Sequence, residues 1–76
     1  MDWQDRIVAD PNIMVGKPVV KGTRLAVEFL MELLAEGWPP EQVLHNYPQL
    51  TKEDLQAVFH YTAEMLKQQR VFPLPV

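Results

Sequence analysis

Gly37, Pro39, Pro40 and Pro48 divide the helix-patterned part of this chain into three segments. That division limits the fold more than any other feature of the sequence. Glycine suits the position just past a helix end, and proline suits a first helical turn but stops a helix that meets it later. Upstream of the break, Ala26, Phe29, Leu30, Leu33 and Leu34 follow the three-and-four spacing of one helical face, which predicts a helix from about Val27 to Glu36. Glu28, Glu32 and Glu36 fall on another face and read as a solvated acidic ridge with no cation to pair. After the rigid corner at Trp38-Pro39-Pro40, Glu41 to Tyr47 makes a short second helix with Val43, Leu44 and Tyr47 inward.

The third segment has the clearest start. Thr51 is placed to cap a helix, with Asp54 three residues later as a capping-box variant and Leu50 and Leu55 as a hydrophobic staple. The helix is predicted to run through Leu55, Val58, Phe59, Thr62, Met65 and Leu66 to about Gln69. Leu30, Leu33, Leu34, Val43, Leu44, Leu55, Val58, Phe59 and Leu66 form the expected interior.

Ahead of the helices, Arg6 to Ala9 reads as a short strand ended by the turn cluster Asp10-Pro11-Asn12. Either Val19-Val20 or Arg24-Leu25-Ala26 is suited to pair back on it. Two strands alone are barely stable, so the hairpin must lean on the helices. The expected fold is mainly α, a three-helix helix-turn-helix (homeodomain-like) bundle with a short N-terminal β-hairpin. Residues 1–70 form one domain and residues 71–76 an apolar C-terminal tail.

A chain of 76 residues holds one small core, and cysteine is absent, which removes disulfides and thiolate metal sites. With 47% of residues apolar, assembly is the remaining way to stabilise so small a domain, and a homodimer is expected. The amino end lacks a signal-peptide pattern, and no apolar run approaches the roughly 20 residues that span a bilayer. A cytoplasmic protein without membrane contact is expected. Serine is also absent, and His45 and His60 complete no catalytic or metal-binding template. His60 and Glu64, four apart, are placed for no more than a surface contact. Neither enzyme activity nor a metal or cofactor is expected.

The chemistry-bearing segment is Gly16-Lys17-Pro18-Val19-Val20-Lys21-Gly22-Thr23-Arg24. It gathers three of the seven basic residues in a chain of net charge −3. Residues 28–64 are strongly acidic, so these cations stand out. The segment lacks the spacing of a phosphate-cradling loop and reads first as a structural lock, with Gly22 in a conformation other residues resist and Thr23 capping the turn. Lys17, Lys21 and Arg24 are the candidate nucleic-acid contacts. A helix-turn-helix docking would add Lys52 and Gln56 at the start of the third helix, although Glu53 and Asp54 there oppose phosphate. In the tail, Arg70 stands beside an extended apolar strip, so Arg70, Phe72 and Leu74 are the candidate partner contacts.

Asp10-Pro11, the Gly16–Arg24 segment, Ala35-Glu36-Gly37, Tyr47-Pro48 and Leu50-Thr51 together resemble the bacterial and archaeal family called domain of unknown function 433. The resemblance covers residues 6 to about 66. It departs at Pro39, where the family tends to carry a serine or threonine. The resemblance implies a helix-turn-helix-like domain and a role as antitoxin of a toxin–antitoxin pair. Such an antitoxin binds a PIN-like ribonuclease toxin and its own promoter DNA as a dimer. The alternative reading is a protein-binding dimerisation module that never contacts nucleic acid.

Overall fold

Three helices and one strand pair follow the punctuation of the sequence. The computed structural model describes residues 2–68. A 3-10 turn over Trp3–Arg6 leads into β1 (Ile7–Val8), and a second 3-10 turn, Met14–Gly16, precedes β2 (Val19–Val20). The helices are α1 (Val27–Ala35), α2 (Pro40–Asn46) and α3 (Lys52–Gln68). The strands are antiparallel, Ile7 opposite Val20 and Val8 opposite Val19. Of the two expected pairings, Val19-Val20 is the one on β1, while Ala26 bridges back to Val19.

Three helix boundaries have a local cause. Thr51 and Asp54 form the capping box: the Asp54 N–H donates to Thr51 Oγ1 at 3.1 Å, and the Thr51 N–H donates to Asp54 Oδ2 at 3.0 Å. Leu50 and Leu55, the staple pair, are both buried. At α1 the chain turns away through Gly37, whose φ of 102° is one that L side chains rarely adopt. Pro40 opens α2 where its missing N–H is no loss.

Val20, Val27, Leu30, Leu33, Val43, Leu50, Leu55 and Val58 make the core, with Leu34, Leu44 and Tyr47 packed partly buried against it. Two expected interior residues lie outside it: Phe59 is 39% exposed and Leu66 is 58% exposed. The reason lies in the amino end. Trp3 stacks on His60 with ring centroids 6.4 Å apart and meets Tyr61 edge-on at 6.2 Å. With the amino end packed there, the buried stripe of α3 runs through Asp54, Leu55, Ala57 and Val58, and Phe59 lies at its edge on the α2 side. Leu66 is exposed for a different reason: it lies near the end of the described part of α3, on the wall of an open groove shared with Val27 and Met31 of α1.

Candidate functional site

The Gly16–Arg24 segment is built as a lock before it offers any charge. Val19 and Val20 are fully buried. The Lys21 N–H donates to the Arg6 carbonyl at 2.8 Å and the Val27 N–H to the Pro18 carbonyl at 2.9 Å, tying the segment to both the turn before β1 and the start of α1. Thr23 closes the turn between them. Its hydroxyl donates to the Val20 carbonyl at 2.8 Å and accepts from the Leu25 N–H at 3.0 Å. Gly22 sits at φ 82°, with open space where a Cβ would stand.

The three cations of this lock point to different places. Lys17 reaches α1 and pairs with Glu28. The hydrogen bond to Glu28, and then the charge of the same carboxylate, hold the Lys17 ammonium above its ordinary pKa. The acidic ridge is thus not bare, because Lys17 answers its first member. Lys21 lines a polar depression of about 360 Å³ with Asp2, Asp5, Arg6 and Asp54, so anionic groups outnumber cations around it. Arg24 is exposed just ahead of α1 and makes no ion pair among the described residues.

Lys52 and Gln56 are brought together. Both line a groove of about 270 Å³ between α2 and α3, alongside Glu41, Leu44 and Phe59. Lys17 and Lys21 line two other depressions. Arg70, Phe72 and Leu74 lie outside the described residues. On α3, Glu64 approaches Lys67 at 3.6 Å, while His60 is occupied by Trp3.

A second, more apolar groove of about 320 Å³ went unanticipated. Pro18, Val27, Met31, Tyr61, Met65 and Leu66 line it, with Lys17 and Glu28 also contributing. The sequence reading instead buried Leu66.

Residues 7–62 match the family described as protein of unknown function, DUF433. The chain belongs to DUF433. Within this chain, 24 residues are 58% identical to a protein of Archaeoglobus fulgidus described as uncharacterized, covering 32% of this chain and 67% of that one. The crystal structure of a DUF433 member from Anabaena variabilis matches with a TM-score of 0.79 at 35% identity, over 86% of this chain. The DUF433 chain described here spans 64% of that Anabaena protein's length. The shared fold is the three-helix arrangement with its N-terminal strand pair.

Proposed function

We propose that this DUF433 chain is an antitoxin of protein-binding type, a homodimer that captures a PIN-like ribonuclease. The observation that carries the choice of protein over nucleic acid is the dispersal of its cations. Lys17 is paired to Glu28, Lys21 faces Asp2, Asp5 and Asp54, and Lys52 stands in another groove beside Glu41. Binding to a phosphate backbone depends on several cations acting along one track, and each contact adds to the salt dependence. Apolar side chains exposed on so small a domain, Val15 and Leu66 above all, favour contact with other chains. The antitoxin assignment itself comes from the family resemblance. Arg70, Phe72 and Leu74 remain the proposed nuclease contacts.

A second reading keeps promoter DNA as a ligand, because Lys52 and Gln56 stand exposed in the first turns of α3. The two readings separate in one experiment. Co-expression with a PIN-like nuclease encoded by a neighbouring gene should restore growth that the nuclease alone arrests, and the two proteins should co-purify. Failure of both, with saturable binding to the promoter at physiological salt, would favour the DNA reading.

A further inference from the structure

Met14, Val15 and Gly16 follow one another at φ 52°, 57° and 79°. Left-handed residues normally occur singly, and a β-branched side chain resists that conformation most. Val15 is also 93% exposed and Met14 40% exposed, so packing within the chain does little to offset the strain. Glycine would hold the same turn without it. Strain of this kind persists where a side chain is used. We infer that Met14-Val15 is a binding knob that seats in the apolar groove between α1 and α3 of a second copy, whose own knob seats in the first. The inference rests on the homodimer in the reading above and not on the nuclease or on DNA.

Placement argues for a second copy as the occupant. Pro18, three residues after Val15, lines the groove with Val27, Met31, Met65 and Leu66, so knob and groove adjoin. A two-fold rotation then brings each knob to the other copy's groove and closes the pair, whereas widely separated features would build an open filament. The groove of about 320 Å³ has room for both side chains, since about 150 Å³ admits a benzene ring. The knob is already ordered. The Ile13 N–H donates to the Asp10 carbonyl at 2.9 Å, and the Gly16 and Lys17 N–H groups donate to the Ile13 and Met14 carbonyls at 3.1 Å. Docking therefore costs little in ordering.

The charges are self-complementary as well. Lys17 stands between knob and groove, and Glu28 and Glu32 stand exposed one turn apart on α1. Glu28 pairs with Lys17 of its own chain, whereas Glu32 makes no ion pair among the described residues. The two-fold sets Lys17 of each copy against Glu32 of the other.

Because the chain has no cysteine, disulfide cross-linking between singly substituted full-length chains tests this pairing. Val15→Cys mixed with Leu66→Cys and oxidised should give a linked dimer. Val15→Cys mixed with Phe59→Cys, on the α2 side of α3, should not. All three positions are exposed, so the fold is kept. Sedimentation of the parent should show a dimer whose dissociation constant rises at least about tenfold in Val15→Gly, even though that change relieves strain in the dissociated chain. A parent that sediments as a monomer at every concentration would overturn the inference and the homodimer together. A dimer that lacks either the Val15–Leu66 cross-link or the weakening by Val15→Gly would overturn the inference alone and move the interface to another face. So would an equal yield of cross-link through Phe59→Cys.

Discussion

Arg6 and Asp54 stand 48 residues apart in sequence, and the Arg6 guanidinium donates to Asp54 Oδ1 at 2.9 Å. The other oxygen of the same carboxylate closes the capping box of α3. One side chain, only 13% exposed, therefore starts the longest helix and ties it to the amino-terminal turn. Removing it gives up the cap and the ion pair together, and Arg6, 36% exposed, recovers part of its hydration. Asp54→Ala is expected to cost about 2–3 kcal/mol and Thr51→Ala about 1 kcal/mol. Urea denaturation measures both. An Asp54→Ala variant as stable as the parent would contradict the linkage.

The left-handed positions give predictions of opposite sign. Gly22 lies at φ 82° with open space around its missing Cβ, so Gly22→Ala meets backbone strain alone. Its cost should be about 1–2 kcal/mol. Val15, a β-branched residue at φ 57°, already bears such strain while 93% exposed. Val15→Gly relieves it at an entropic cost of about 0.5–1 kcal/mol, so the melting temperature should rise by a few degrees. A lower melting temperature for Val15→Gly would show that the side chain is held by a contact.

Core substitutions separate the buried stripe from the exposed one. Leu30 is fully buried, and Leu30→Ala should cost about 2–5 kcal/mol, comparable with the whole stability of so small a domain. Phe59→Ala should cost well under the 3–5 kcal/mol of a buried phenylalanine and leave a cooperative melt. Equal losses at both positions would contradict the observed packing.

That contrast also marks what was legible in the sequence. The helix boundaries followed from Gly37, Pro40, Pro48 and the Thr51–Asp54 box because each acts within a turn of its own position. Val19 and Val20 were read as strand, but their full burial depends on α1 and β1 closing over them. Phe59 was misplaced because helical periodicity fixes which residues share a face and not what packs against it. That is tertiary: Trp3, 56 positions upstream of Phe59, packs on the neighbouring His60 and Tyr61. The dispersal of Lys17, Lys21 and Lys52 was hidden for the same reason. Proximity in sequence made the first two look like one patch, and the partnership of Lys17 with Glu28 is tertiary.

The Lys17–Glu28 pair carries a pH signature. Its folded-state pKa is raised above the ordinary 10.5 by the hydrogen bond to Glu28 and by that carboxylate's charge. The pair therefore contributes fully below the unfolded value and fades as pH rises through the folded one. Both side chains are more than half exposed, so the effect is small and weakened by salt. The parent should lose slightly more stability than Lys17→Met above pH 10.5, and only at low ionic strength. Parallel curves would show that the pair contributes nothing.

Calorimetric titration tests the proposed reading, an antitoxin that binds protein rather than DNA, most directly. The full chain would be titrated at physiological salt with a PIN-like nuclease encoded by a neighbouring gene and, separately, with the DNA upstream of its own gene. The account predicts saturable binding to the nuclease, weakened at least about tenfold by Phe72→Ala as expected for an anchoring aromatic, and no saturable heat with DNA. Saturable, sequence-dependent binding to the DNA together with no heat on addition of nuclease would contradict it.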